Sequence, residues 1–361
     1  LIKFEELAVM DFKNLDKDKL REALALEGEQ LQYLYDYAAL VKQKHVGNKV
    51  YYRGLIEYSN RCAKNCFYCG VRRNNKAVDR YTLEDEEVLA AARLAFEKRF
   101  GSLVIQSGER SDSYFVNKVA ELLRKISEQT EGKLHVTLSM GEQSEETYRL
   151  WRECGAHRYL LRIEASNPDL YKKLHPNDEL HSFEKRIEAL ELLRKTAYQV
   201  GTGVMIGLPF QSLDDLVNDL LFIKKMDIDM VGMGPYIEHE ATPLFKYAHQ
   251  LLPKALRFEL SMKIVALLRI MMPTINIAAT TAMQTLHPEG REFALKVGAN
   301  VIMPNLTPLK YREGYLLYAN KPNLHEETDV SLEKLSEAIA KAGCVWSPYE
   351  WGDSRHYRER I

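Results

Sequence analysis

Read for its apolar and polar positions, the chain begins with one period and then changes to another. Leu20, Leu24, Leu31, Leu34, Tyr35 and Ala38 recur at helical spacing and stop at Gly47-Asn48, which predicts one long amphipathic helix over 16–46. Beyond it, short apolar runs at 50–58, 102–107, 134–140, 158–165, 199–208, 230–237, 276–280 and 300–305 read as strands. Helical periodicity lies between them, near 83–99, 113–128, 143–154, 182–197, 212–226, 254–271 and 288–297. Regular alternation predicts a parallel sheet in an α/β fold, and this many units can close into a complete (β/α)8 barrel of the TIM type. A weak repeat agrees: a helix, a glycine, a small residue and a strand recur around Gly101, Gly155 and Gly298, where left-handed helix caps are expected. No Pro, Gly or Ser linker divides the chain. The expected layout is a helical extension over 1–47 acting as lid or plug, a barrel over 48–305, and a segment over 306–361, with a helix near 331–342, that closes the barrel's top.

The same patterning makes the barrel interior unusual. Parallel strands covered on both faces should read as continuous apolar runs. Yet Arg158, Arg162 and Glu164 alternate along the fourth run, Arg53 and Glu57 along the first, and His135, Thr137 and Ser139 along the third. Residues two apart on a strand face the same way, and an unpaired charge in a dry centre costs several kcal/mol. The pattern predicts a wide, polar, wet cavity, with an Arg53–Glu57 brace as the plainer alternative.

At the end of the first predicted strand stands Asn60-Arg61-Cys62-Ala63-Lys64-Asn65-Cys66-Phe67-Tyr68-Cys69-Gly70, which holds three of the five cysteines. Three thiolates do not close a tetrahedral zinc site, and no fourth Cys or His follows at ligand spacing. Soft thiolates suit an iron-sulfur cluster, and three of them around a cubane leave one iron open to a small molecule. The loop follows a strand, so the cysteines fall on the barrel face where such folds place their chemistry.

Composition adds limits. With 50 basic and 51 acidic residues in 361, there is no electrostatic footprint for nucleic acid or an anionic membrane. No apolar run nears the roughly 18 residues of a membrane span, and the start shows no secretory core. Few cysteines and an oxygen-sensitive centre suit a reducing cytoplasm. Cys154 and Cys344 read as buried thiols, and the ten histidines show no metal spacing.

The spacing Cys-x3-Cys-x2-Cys, with Tyr68 before the third cysteine, resembles the radical S-adenosylmethionine (SAM) superfamily. The runs Tyr51 to Glu57, Gln106 to Glu109, Arg158 to Leu161, Gly203 to Pro209, Asp229 to Pro235, Ala279 to Met283 and Asn300 to Asn305 further resemble the HydE family of FeFe-hydrogenase maturases, itself similar to biotin synthase and methylornithine synthase. The resemblance implies that Cys62, Cys66 and Cys69 bind a 4Fe-4S cluster and that Tyr68 lies against the adenine of SAM. It implies SAM contacts for Ser107, Gly108 and Glu109, for Ser139, Glu164 and Arg186, and for Gly203, Met205 and Met230, with Gly201 and Gly207 allowing close backbone approach. It places substrate near Arg53, Arg158, Arg162, Thr280 and Thr281, with Tyr311 at the cavity mouth. Some relatives carry a second cluster, but 306–343 contains no cysteine, so a single cluster is expected. Ile163 stands where relatives carry a histidine.

The chemistry so implied is reductive cleavage of SAM to methionine and a 5′-deoxyadenosyl radical, with no catalytic side chain beyond the cofactors. The electron would come from a flavodoxin or ferredoxin-type donor. The substrate would be a cysteine-bound iron carbonyl cyanide complex, delivered by a companion maturase during assembly of the hydrogenase diiron centre. An enzyme of the methylornithine or biotin synthase kind is a second reading, and a metal-fragment scaffold or carrier is one of another class.

Overall fold

A computed structural model describes residues 14–361, so the first thirteen residues of the expected extension lie outside the described residues. The predicted single helix over 16–46 is two, α1 (Lys17–Leu24) and α2 (Gly28–His45). Gly28 has φ +55°, a left-handed turn that ends the run of helical geometry. The pair packs outside the barrel on the helices Leu213–Lys225, Lys254–Met271 and Gly290–Val297 and does not line its cavity: Arg21 pairs with Asp214, the buried Lys42 ammonium donates to Leu295 O, and that of Lys263 donates to Leu24 O.

The sheet is built from β1 (Lys49–Ser59), β2 (Ser102–Ser107), β3 (His135–Ser139), β4 (Ala156–Leu160), β5 (Gln199–Thr202), β6 (Met205–Ile206), β7 (Met230–Val231), β8 (Gly234–Pro235), β9 (Asn276–Ile277) and β10 (Val301–Ile302). All ladders are parallel, and the path runs β10-β1-β2-β3-β4-β5-β7-β9, with β6 and β8 pairing separately. It curves into a partial barrel. Helices α3 (Asp85–Glu97), α4 (Ser113–Gln129), α5 (Glu145–Glu153), α6 (Pro168–Leu174), α7 (Phe183–Lys195), α8 (Leu213–Lys225), α9 (Lys254–Met271), α10 (Thr281–Leu286) and α11 (Gly290–Val297) connect the strands. Their starts follow the sequence: Asp112, Ser144, Ser182 and Ser212 each accept a backbone N–H of the first turn they cap. Among the described residues no helix is long and apolar enough to cross a membrane.

Three long predicted strands are shorter than their apolar runs. β4 ends at Leu160, and Glu164, at φ +66°, meets Val204 only through an isolated bridge. Beyond it the upper ends of the fourth to sixth units stay linked by a few backbone bonds, Met205 N–H donating to Glu164 O at 3.0 Å and Tyr236 N–H to Ile206 O at 2.8 Å. The short helices α6 and α10 lie inside stretches read as loop; Asn167 caps α6 and Pro168 opens it. Of the glycine repeat, Gly155 is left-handed (φ +113°), Gly298 is extended (φ −170°), and near Gly101 it is Arg99 that takes φ +64°. Gly101 is instead a close approach, since an added Cβ would stand 1.9 Å from Glu350 O.

The C-terminal segment does two things rather than one. α12 (Leu309–Arg312) and the loop through Asn323 wall the top, followed by α13 (Thr328–Lys341). The chain then drops to the bottom, where β11 (Val345–Trp346) pairs with the start of β1, and α14 (Arg355–Arg360) ends it. Between them, residues 351–354 enter the barrel. Arg158 ion-pairs with Asp353, Arg53 Nη2 donates to Gly352 O at 3.1 Å, and Gln199 Nε2 donates to Asp353 at 2.7 Å. Trp351 stacks on His135 at 3.5 Å, which stacks on His157 at 3.6 Å. The lower half of the expected open cavity is therefore filled, and Arg53 does not pair with Glu57.

Candidate active site

The cysteine loop is pre-formed by long-range bonds. Arg80 donates to the carbonyls of Asn60, Val71, Arg72 and Asn75, so one guanidinium holds both ends of the turn. Phe67 N–H donates to Leu174 O at 2.9 Å, and Leu244 N–H donates to Phe67 O at 3.0 Å. His181 Nδ1–H donates to Asp178 at 2.6 Å, which leaves Nε2 to accept Asn65 N–H at 2.8 Å. His175 works the same way: Nδ1–H donates to Tyr171 O at 2.8 Å, and Nε2 faces the Tyr68 hydroxyl at 3.4 Å. Burial pulls His175 down to about 3, so it stays neutral.

Cys62, Cys66 and Cys69 are free thiols that line one cavity of about 350 Å³. Burial, then the neighbouring Cys62, pushes Cys66 up to about 12, and burial raises Cys62 and Cys69 as well. Three neighbouring thiols, each raised by burial, need a cationic centre among them to be stable as thiolates. Among the described residues no group of three or more His, Cys, Asp or Glu is placed around a single metal ion. The donor set fits a larger soft cluster. The Glu109 N–H already donates to Cys62 Sγ at 3.2 Å, and Gly108 lets the two loops meet, since an added Cβ would stand 2.5 Å from Arg61 O.

Beside the thiols lies a charge network. Lys64 bridges Glu109 (3.2 Å) and Glu142 (2.9 Å), and Glu142 also pairs with Arg186. Burial raises the Glu109 carboxyl. Burial acts in the same direction on Glu142, but the Arg186 and Lys64 charges overcome it and hold that carboxyl low. Arg186 also donates to Arg162 O at 2.6 Å. Arg162 forks onto Glu164 at 2.9 and 2.8 Å and reaches Gly232 O at 2.7 Å. Carboxylates and guanidinia at one wall, with the thiols above, can hold a zwitterionic ligand by both of its charged ends.

Of the residues singled out from sequence, Tyr68, Ser107, Gly108, Glu109, Ser139, Glu164, Arg186 and Met205 line this cavity with the thiols, as do Arg162, Thr280 and Thr281. Arg53 and Arg158 do not; they lie below, against the tail. Met230 accepts from Arg53 Nη1 at 3.1 Å and packs on Gly201, and an added Cβ on Gly203 would meet Gly232 O at 2.0 Å. Met230, Gly201 and Gly203 therefore pack neighbouring strands of one sheet together and do not line the cavity. Tyr311 turns away from the mouth: its hydroxyl donates to Glu87 at 3.0 Å and its ring lies 4.7 Å from Tyr81. Sequence reasoning missed Glu142, although a signal was there, because Gly141-Glu142 follows β3 just as Gly108-Glu109 follows β2. It also passed over Lys64, His175 and His181 as pins of the loop, and these carried no local signal.

Comparison with known proteins bears on this geometry. Residues 56–223 match the Radical SAM superfamily. Over 359 residues the chain is 42% identical to the FeFe-hydrogenase maturase subunit HydE of Thermotoga maritima, covering 99% of each chain. It is 27% identical over 353 residues to 3-methylornithine synthase of Methanosarcina acetivorans, covering 96% of this chain and 95% of that one. The crystal structure of methylornithine synthase (PylB) superposes with a TM-score of 0.78 at 26% identity, covering 93% of this chain and 95% of that one. HydG of Carboxydothermus hydrogenoformans reaches 0.79 at 23% identity, covering 97% of this chain and 79% of that one, a likeness of fold alone. With identity of this size running through every element that builds the cavity, the chain belongs to the HydE family of the radical SAM superfamily.

Proposed function

We propose that this chain is an FeFe-hydrogenase maturase that cleaves SAM reductively and acts on a cysteine-bound iron carbonyl cyanide complex. The family uses a 4Fe-4S cluster and SAM. When bound, they supply an electron and a 5′-deoxyadenosyl radical; the chain supplies position and shelter. In this reading Cys62, Cys66 and Cys69 hold the cluster. Glu109 takes the SAM amino group, Arg186 its carboxylate, and Ser139 and Glu164 the ribose, while Tyr68 and Met205 flank the adenine. Arg162, Thr280 and Thr281 lie deeper and hold the anionic part of the substrate. The observation that carries the reading is that three half-buried thiols and this charge network line the same cavity.

We also infer a fully closed barrel. Its support is the seam between the path's two ends, where Ala279 N–H donates to Val301 O and Asn300 N–H to Ile277 O, both at 2.9 Å. A low-potential flavodoxin or ferredoxin-type protein would deliver the electron, and a companion maturase the substrate.

The test is anaerobic reconstitution with iron and sulfide, then dithionite and SAM. The reading expects 5′-deoxyadenosine; a reconstituted protein that binds iron and yields none would make it a scaffold or carrier. Full-length similarity to methylornithine synthase keeps one alternative in view, which turnover of lysine would establish.

A further inference from the structure

We propose that the cavity has a side lobe, built around Arg291, that receives a carboxylate of the substrate; this rests on the reading above that substrate enters this cavity. Arg291 stands at the start of α11, outside the sheet, yet its side chain lines the cavity and is only 6% exposed. Its Nε is buried with no hydrogen-bond partner, and no ion pair reaches its guanidinium among the described residues. That is unlike the other arginines that line the cavity. Arg162 and Arg186 have carboxylates, and Arg312 donates to the carbonyls of Thr307, Asn305 and Glu326. Glu292 and Glu326 act on Arg291 through space without pairing with it, and Tyr52 and Tyr318 are its other polar neighbours.

A buried guanidinium without a counter-charge is costly. Its fork matches a carboxylate, which can accept two parallel N–H bonds. Tyr318 completes the lobe: its hydroxyl is shared with Thr281 Oγ1 at 2.7 Å, which ties Arg291's surroundings to the threonine pair. The other cation on this wall, Lys321, is already paired with Glu57. An amino-acid carboxylate supplies the single negative charge that Arg291 lacks on this wall.

The test uses the reconstituted, SAM-loaded full chain, titrated with L-cysteine, with cysteamine, which lacks the carboxylate, and with bromide. Wild-type protein should bind L-cysteine about tenfold or more tighter than cysteamine. Arg291→Met should lose that preference, Arg291→Lys should keep part of it, and without ligand Arg291→Met should melt no lower than the wild type. Equal binding of cysteamine, bromide competing as well as L-cysteine, or an Arg291→Met protein that melts well below the wild type would each overturn the assignment. A wild-type protein that makes no 5′-deoxyadenosine would defeat the proposed reaction while leaving this titration readable.

Discussion

Arg158 and Arg162 lie four residues apart and end in different surroundings. Both come from the fourth unit of the barrel, and both are read as facing the lumen. Arg158 is fully buried at the bottom, held by Asp353 and by the Trp351 carbonyl at 2.6 Å. Arg162 is partly exposed to the cavity at the top, forked onto Glu164. The bottom is an ion pair with a fully buried arginine and an aromatic stack beside it; the top is a ring of charges around open space. The difference teaches that strand alternation reports direction and not depth. What separates the two arginines is a tail that arrives from nearly two hundred residues away, and no local pattern announces it.

The comparison can be broken most sharply at the top. Cys66→Ala should reduce 5′-deoxyadenosine formation to background and leave the melting temperature nearly unchanged, because Arg80 and the two histidines hold the loop independently of the thiols. Calorimetry alongside product assay checks both halves. At the bottom the effects should reverse. Asp353→Ala strands the Arg158 charge and should cost about 3–5 kcal/mol of stability, measured by denaturant unfolding, while SAM affinity stays within about twofold of wild type, as expected for a site not in contact with it.

Glu142→Gln lies between these extremes. Removing the carboxylate that Lys64 and Arg186 share should weaken SAM binding by about tenfold, roughly the worth of one charged hydrogen bond, with a smaller loss of stability. Equilibrium titration with SAM separates the two. The smallest effect is on pH. Burial works to raise Asp353, but Arg158 outweighs it and the folded carboxyl stays below its usual range. A depressed carboxyl contributes stability that is fully present above its unfolded value, about 4, and lost as pH falls through the folded one. Tail cleavage by an acid-tolerant protease should accelerate below that point in wild type, and Arg158→Met should remove the dependence.

Much of the site was readable in advance because its signals are local. The three cysteines, Tyr68 beside them and Glu109 after β2 are set by spacing within a few residues of a strand end, and strand ends are where such sheets gather chemistry. Glu142 was readable in principle from the second Gly-Glu. The tail plug was not, since Trp351 and Asp353 become meaningful only against His135 and Arg158. Nor was the helix break at Gly28, where one glycine overrides a continuous apolar stripe, nor Tyr311, whose turn toward Glu87 depends on α3. The apolar runs over 158–165 and 230–237 overstated the strands because the satellite cluster of Ala165, Leu170, Met205 and Tyr236 under the cysteine loop also demands apolar residues.

The central claim is that three thiols hold a cluster whose remaining iron faces the SAM-binding wall. Electron paramagnetic resonance of the dithionite-reduced, reconstituted protein tests it directly, recorded before and after SAM is added. The account predicts one reduced-cluster signal that changes on adding SAM and is absent in the Cys62→Ala, Cys66→Ala and Cys69→Ala proteins. A signal indifferent to SAM, or one that survives loss of these cysteines, would contradict it.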